Sequence, residues 1–479
     1  MSTLRLILDW SLYRLALLLA APLIPLRLLW RGRREPGYLR HWGERLALGP
    51  APATGALWIH AVSVGEMRAA QPLIAALRDA NPDTPVLLTC MTPTGRATAE
   101  SLYGDFARIV YLPYDYAGLA RRFLRRAKPR VGILMETELW PNLIHAAARE
   151  NVPLVLANAR LSARSARGYA RLPALTRASL QRVNCVAAQS EADAARLTAL
   201  GAASVSVVGN LKFDIAPPPA QLELGAAWRQ RWGQRPVLLA ASTREGEEAP
   251  LLRAFVEAAP DDVLLLLVPR HPQRFDEVAG LIAAAGPMYQ RRSTWDVGRP
   301  SGRQVGLKAD LQDSAASIST LSNNPDTRVL RKGRCAAAGH LPTYPMRVLL
   351  GDSLGELFAY YAACDVAFVG GSLVPLGGQN LIEAASVGRP VLVGPHTFNF
   401  EEATRLAIES GAAVRVNDAA GLMEEALTLL NDAPARTRMG EAGLAFAARY
   451  RGAAACIAEL ISPLLADAAP GRPWSHHRH

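Results

Sequence analysis

From Leu57 onward the chain alternates short, continuous apolar runs with amphipathic stretches. LWIHAV precedes a helical pattern from Glu66 to Ala80, PVLLTC one from Gly95 to Leu102, and RIVYLP one from Ala117 to Ala127. VGILME leads into a helix after Leu139, and PLVLAN, VNCVAAQ and VSVVGN extend the series. Runs apolar on both faces and separated by helices predict a parallel sheet covered on both sides, a Rossmann-like domain. The segment IAPPPA (215–220) interrupts it, and three consecutive prolines favour an extended, semi-rigid linker. The alternation restarts with PVLLAAS, VLLLLVPR, RVLLGD, CDVAFVGG, RPVLVGP and GAAVRV, predicting a second such domain.

These patterns divide the chain into an amino-terminal anchor with a basic flank (1–48), a first Rossmann-like domain (49–216), a linker (217–234) and a second Rossmann-like domain (235–466). A Ser-, Gly-, Arg- and Asn-rich stretch of weak periodicity, about 290–345, reads as a loop insertion, and 467–479 as a disordered tail. The fold expected is α/β, two domains facing a central cleft, with ligand sites at the carboxyl ends of the strands.

The first thirty residues are different. LRLILDWSLYRLALLLAAPLIPLRLLW (4–30) is strongly apolar but is interrupted by Arg5, Asp9, Arg14 and Arg27. Its uninterrupted core, Leu15 to Leu26, is about half of the roughly 20 residues that span a bilayer. No A-x-A-like cleavage site precedes the basic run that follows, so a membrane anchor or interfacial helix is expected, with Arg31, Arg33 and Arg34 keeping the chain beyond them cytoplasmic.

Charge points the same way. A net charge of +11 and a pI near 9.7 call for acidic partners. Within the first fifty residues eight arginines face three acids and flank an apolar segment, which favours a lipid surface over nucleic acid. At 479 residues, two domains of about 200 residues each are expected. The five cysteines, Cys90, Cys185, Cys335, Cys364 and Cys456, show no C-x-x-C spacing and read as reduced thiols of a cytosolic protein.

Candidate chemistry lies at strand ends. HAVSVGE (60–66) runs off the first strand, so Glu66 falls at a helix start over the sheet, where either ligand chemistry or the helix dipole accounts for a carboxylate. METELWPN (135–142) sets Glu136 and Glu138 directly after a buried strand, and without a D-x-D or histidine cluster it does not read as a metal site. Neither a metal nor any other cofactor is expected. In GNLKFD (209–214), Lys212 is placed either to reach an anion or simply to be solvated. Four segments of the second domain, ASTREGEE (241–248), VPRHP (268–272), GDSLGEL (351–357) and GGSLVPLGGQNLIE (370–383), also sit at strand ends. Gly377 and Gly378 precede a predicted helix whose free N–H groups suit a phosphate, and Glu383 suits ribose hydroxyls.

With HAVSVGE, MTPTG, YLPYD, METELWPN, NARLSARS, LKFD, STREGEE, VPRHP, FVGGSLV and GPHTFNF in order, the chain resembles the 3-deoxy-D-manno-octulosonic acid (Kdo) transferases over nearly its whole length. The resemblance implies a GT-B fold that moves Kdo from CMP-Kdo, bound by the second domain, to the lipid A precursor, bound by the first, at the cytoplasmic face of the bacterial inner membrane. It implies Glu66 as general base and Glu136 and Lys212 as transition-state stabilisers. It assigns donor contacts to Pro269, Arg270, Leu354, Gly355, Glu356, Asn380, Leu381, Ile382 and Glu383. Partners would be CMP-Kdo, the lipid A precursor and inner-membrane lipids, with no nucleic acid. The pattern is broken where Gln379 and Arg244 stand in place of the family's usual histidines, and where 290–345 is longer than its connection. The rival readings are another GT-B transferase, for instance one using a UDP-sugar, and a membrane-bound nucleotide-binding scaffold without activity.

Overall fold

The computed structural model describes residues 3–49, 54–295 and 346–467. It divides into two compact units, one formed by the chain up to Pro217 together with the chain from Leu444, the other by Pro218–Gly443. Each holds a seven-stranded, all-parallel sheet. In the first, β1 (Leu57–His60), β2 (Val86–Cys90), β3 (Ala107–Tyr111), β4 (Val131–Met135), β5 (Leu154–Ala159), β6 (Cys185–Ala188) and β7 (Val205–Val207) lie in the order 3-2-1-4-5-6-7. Leu57 is in register with Val86 on one side and Val131 on the other. Side chains alternate between two cores: Leu57 and Ile59 join Leu88 and Ile133 on one face, while Trp58 joins Leu87 and Leu134 on the other.

The second sheet is built from β8 (Val237–Thr243), β9 (Leu264–Pro269), β10 (Tyr289–Arg291), β11 (Val348–Leu350), β12 (Val366–Val369), β13 (Val391–Val393) and β14 (Ala413–Arg415), in the order 10-11-9-8-12-13-14. In both sheets the chain reverses its direction of travel once, at β1/β4 and at β8/β12. Such a switch point opens a crevice beyond the carboxyl ends of its two strands.

Several expectations are corrected. The segment 217–234 is not an extended linker: Pro219–Trp232 is a helix of the second unit packed on the helix Leu357–Ala363, with Pro218 extended before it and a proline at the helix start, where a missing N–H is harmless. The insertion expected from 290 begins later, because Tyr289–Arg291 is an edge strand paired with β11 and Trp295 stacks on Trp232 with ring centroids 5.4 Å apart. The rest of that stretch, 296–345, which includes Cys335, lies outside the described residues, as does the tail from 468. The helix Ala453–Asp467, assigned by sequence to the second domain, buries Ile457, Ile461 and Leu465 in the core of the first sheet. Glu66 to Ala80 is two helices, Val64–Ala69 and Gln71–Ala80.

The single amino-terminal anchor helix is replaced by two, Thr3–Ala20 and Leu23–Gly32, bent by 47° at the break. No single helix among the described residues is long and apolar enough to cross a membrane. Cys90, Cys185 and Cys364 are buried free thiols, pushed up by burial to about 12, 11 and 12 respectively, and Cys456 is an exposed free thiol.

Candidate active site

In the first unit, chemistry collects at the β1/β4 switch point. Beyond β1 the chain turns at Ser63, whose hydroxyl accepts from the Glu66 N–H at 3.4 Å and caps the helix Val64–Ala69. Glu66 reaches back: Oε2 accepts from the Val62 N–H at 2.8 Å and Oε1 from the Ser63 hydroxyl at 2.8 Å. This is a variant of the capping box in which the returning bond is made by the residue before the cap. Both readings of Glu66 therefore meet in one geometry, since the bonds that cap the helix also hold its carboxylate at the sheet edge.

Gly95 packs this loop tightly. A β-carbon there would lie 2.8 Å from Thr92 Oγ1 and 3.1 Å from the Val62 carbonyl oxygen, so the helix Pro93–Tyr103 approaches the Glu66 loop only because residue 95 has no side chain. Beneath the loop, buried His60 places Nδ1 3.1 Å from the Thr89 carbonyl oxygen and 2.9 Å from Thr89 Oγ1. Burial lowers it to about 4, which keeps the ring neutral.

Across the crevice, β4 ends at Met135 and Glu136 follows with φ +56°, a left-handed conformation costly for a residue with a β-carbon, while its N–H donates to the Ala157 carbonyl at 2.9 Å. Burial raises Glu66 above the usual carboxylate range; the Val62 N–H and Ser63 hydroxyl oppose the shift, Glu136 reinforces it and Lys212 counters it. Glu138, which sequence reasoning quoted but did not assign, is raised to about 7, first by burial and then by the charge of Glu66. Two coupled carboxyls pushed upward together leave one ready to hold a proton near neutrality. The E-x-E spacing was the available signal for Glu138; its burial was not visible.

Lys212 sits in the short turn Leu211–Asp214, where its own N–H donates to Asn210 Oδ1 at 3.0 Å. Asn210 donates to Gln189 Oε1 at 2.9 Å, and Gln189 donates to the Asn158 carbonyl at 2.8 Å. The Leu211 N–H donates to Asn158 Oδ1 at 3.1 Å, and Phe213 packs edge-on against Phe446. Asp214 accepts from the Gly452 and Ala454 N–H groups, each at 2.6 Å, and so caps the helix Ala453–Asp467. Asn158 itself is buried with φ +55°. The structure thus brings Glu66, Glu136, Glu138 and Lys212 into one electrostatic group.

In the second unit, the switch point is held by Glu247, a buried carboxylate that sequence reasoning did not single out. It accepts four backbone N–H groups: Arg244 at 2.8 Å and Gly371 at 2.6 Å on Oε2, Ser372 at 3.0 Å and Leu373 at 2.9 Å on Oε1. The loops after β8 and β12 are tied together through it, and the Arg270 N–H, just past β9, donates to the Thr243 carbonyl at 3.0 Å. Gln379 and Arg244, the two departures from the family pattern, meet here: the position of a β-carbon on Gly371 is 3.2 Å from Gln379 Nε2 and 3.5 Å from Arg244 Cγ. His271 is lowered by burial and by Arg244, Arg270 and Arg274, which marks this corner as strongly positive. Arg274 is held by Glu248 and Glu277 at 2.6 Å each.

The remaining predicted donor residues fall around the buried helix Leu357–Ala363. Pro269 closes β9, and the charges of Glu383 and Arg270 both act on buried Tyr361. Leu354 is 70 % exposed, Gly355 accepts from Gln221 Nε2 at 2.6 Å, and Glu356 pairs with Arg292 at 2.9 Å. Leu381 and Ile382 are buried. The helix expected after Gly377 and Gly378 is the five-residue Ile382–Ser386, and its first N–H is already taken by Asn380 Oδ1 at 3.2 Å, which corrects the reading of a free phosphate-binding helix start. Asn380 Nδ2 donates to Glu383 Oε1 at 3.1 Å.

Two parallel-sheet units, one with carboxylates and a lysine at its switch point and the other with a cluster of arginines, place the chain in the GT-B fold class. Residues 40–215 match the family model described as 3-deoxy-D-manno-octulosonic-acid transferase (kdotransferase). The chain is 44 % identical to the 3-deoxy-D-manno-octulosonic acid transferase of Bordetella pertussis over 458 residues, covering 92 % of this chain and 96 % of that one. With the Haemophilus influenzae protein of the same name it shares 35 % identity over 463 residues, 95 % and 98 % of the two chains. Anabaena Alr3699/HepE in complex with UDP matches in fold, with a TM-score of 0.53 at 15 % identity, covering 86 % of this chain and 100 % of that one. The chain belongs to the Kdo transferase family, and it is a glycosyltransferase that transfers Kdo.

Proposed function

We propose that the chain transfers Kdo from CMP-Kdo to the lipid A precursor at the cytoplasmic face of the bacterial inner membrane. The observation that carries the catalytic assignment is the electrostatic group of Glu66, Glu136 and Lys212 at the β1/β4 switch point. Glu66 is the general base: its carboxylate takes the proton of an acceptor hydroxyl as that oxygen forms its bond to the anomeric carbon of Kdo. The bond from that carbon to the phosphate oxygen breaks, and CMP leaves with the electron pair. Glu136 offsets positive charge developing on the sugar, and Lys212 stabilises negative charge on the departing phosphate.

Donor binding falls to Pro269, Arg270, Leu354, Gly355, Glu356 and the turn Asn380, Leu381, Ile382, Glu383, the turn acting through the Asn380 and Glu383 side chains and the backbone. Arginines around His271 supply positive charge for the nucleotide phosphate. Membrane lipids are partners of the amino-terminal helices, whose exposed leucines and flanking arginines suit a lipid surface.

The test is transfer from CMP-Kdo to lipid A precursor by wild type and Glu66→Gln. The variant keeps a side chain that accepts the Ser63 hydroxyl yet cannot take a proton, so kcat falls by about 10²–10⁴ with little change in donor KM. A variant near wild-type rate removes Glu66 from the mechanism, and no transfer by either protein removes the substrate pair.

A further inference from the structure

The helix Thr3–Ala20 is docked with Asp9 and Tyr13 inward and most of its leucines outward. Its inner stripe is Leu6, Asp9, Trp10, Tyr13, Leu17 and Ala20, a helical spacing that meets the first unit along most of the helix. Asp9 is only 4 % exposed, and its Oδ2 accepts the Ala174 and Leu175 N–H groups at 2.9 and 3.2 Å. It thereby caps the helix Pro173–Leu180, which has no capping side chain of its own. The Tyr13 hydroxyl donates to Asp115 Oδ2 at 2.6 Å, and Asp115 in turn accepts the N–H groups of Asn142 and Leu143 at the start of the helix Pro141–Arg149. Tyr116 donates to the Leu17 carbonyl at 2.7 Å, and Trp10 meets His145 edge-on at 5.6 Å.

The outer face is the reverse. Leu4, Ile7, Leu8, Leu15, Leu18 and Leu19 are between 52 and 75 % exposed, and beyond the bend Leu23, Leu26 and Trp30 are between 57 and 61 % exposed. A helix packed for water would turn those leucines inward. Arg5 and Arg14 lie among them, and Arg27, Arg31, Arg33 and Arg34 follow, against a single acid, Asp9, which faces the protein.

We infer that this bent helix pair lies in the plane of an anionic lipid surface, docked to the first unit, and does not cross the bilayer. The inference rests on the membrane reading above and adds the mode of attachment. Crossing requires about 20 residues through roughly 30 Å of hydrocarbon. The first helix has 18 residues and is fastened at Asp9, Tyr13 and Leu17, so crossing either strands Asp9 in lipid or carries Asp115 and two capped helix ends in with it. Lying flat, the same helix buries its leucines to headgroup depth and leaves each arginine a phosphate within reach. Through Asp115 this attachment is also hydrogen-bonded to the first turn of the helix Pro141–Arg149, which follows Glu136 and Glu138.

The test uses the full chain with Cys335→Ser and Cys456→Ser, carrying Thr3→Cys or Arg33→Cys, in sealed membrane vesicles of both orientations treated with a membrane-impermeant maleimide. In-plane attachment makes both positions react from the same side, in the same vesicle preparation. Thr3→Cys reacting only from the side opposite Arg33→Cys overturns the inference and establishes a crossing. Protein that washes off the vesicles at physiological salt, and fails to float with phosphatidylglycerol-containing liposomes, overturns the membrane reading itself. A soluble dimer in that wash assigns the leucine face to a second copy and likewise overturns both.

Discussion

Replacing Glu247 by Gln changes one atom of a buried side chain and tests how the second unit's switch point is held. In the wild type, Oε2 accepts from the Arg244 and Gly371 N–H groups at 2.8 and 2.6 Å, while Oε1 serves Ser372 and Leu373. An amide can keep one pair of these bonds, but its NH₂ must then face two backbone donors. Each hydrogen bond to a charged acceptor contributes about 1.5–3 kcal/mol, and a buried donor left without a partner costs about as much. Two such losses amount to about 3–6 kcal/mol, a large share of the roughly 5–15 kcal/mol that holds a domain folded.

Urea unfolding followed by tryptophan emission reports the loss, with the exposed Glu245→Gln as a control expected to stay within about 0.5 kcal/mol of wild type. Hydrogen exchange locates it: the Gly371, Ser372 and Leu373 amides should lose protection in the variant while β8 keeps most of its own. A Glu247→Gln protein that matches wild type in urea and protects those amides equally refutes the role assigned to Glu247.

Glu138 is raised to about 7 first by burial and then by the charge of ionised Glu66, so Glu138→Gln removes a group that titrates near neutrality: an inflection of the kcat/KM profile near pH 7 should vanish while the limb set by Glu66 stays, and an inflection at 7 that persists in the variant removes Glu138 from the profile. Gly95→Ala forces the Val62–Ser63 loop outward and should lower kcat by about 100-fold in single-turnover assays while leaving the donor KM unchanged. Asp214→Ala uncaps the helix Ala453–Asp467, and thermal unfolding should show about 1–2 kcal/mol lost together with a lower kcat as the Lys212 turn loosens.

Strand positions were legible because continuous Val/Leu runs bounded by turns have few other uses, and every run named from the sequence corresponds to a strand of one of the two sheets. The edge strand β10 escaped, because Tyr289–Arg291 is short and mostly polar. The helix Ala453–Asp467 was legible as a helix but not as a member of the first unit, since an apolar stripe does not encode which sheet it covers. Pro217, Pro218 and Pro219 suggested a longer linker than exists, because prolines that extend a chain also start helices. Of the candidate site, strand-end placement and resemblance single out Glu66, Glu136 and Lys212. Glu247 and Asn158 are not singled out, because their importance lies in which backbone groups they satisfy after folding. The glycines at 377 and 378 suggested a free helix start, which the Asn380 side chain already occupies.

The first unit is made of both ends of the chain, and this orders its assembly in time. During synthesis the amino-terminal helices, the sheet and the Lys212 turn emerge first, but Gly452, Ala454 and the helix that Asp214 caps are translated only after the whole of Pro218–Gly443. Domains fold as they emerge, so the contiguous second unit can close around Glu247 while the first still exposes the sheet face that Ile457, Ile461 and Leu465 will cover. A nascent chain that stops short of Gly452 therefore carries Glu66 and Lys212 without the two N–H groups that Asp214 accepts. The turn that holds Lys212 is fastened only once the helix Ala453–Asp467 has been made, after the whole of the second unit.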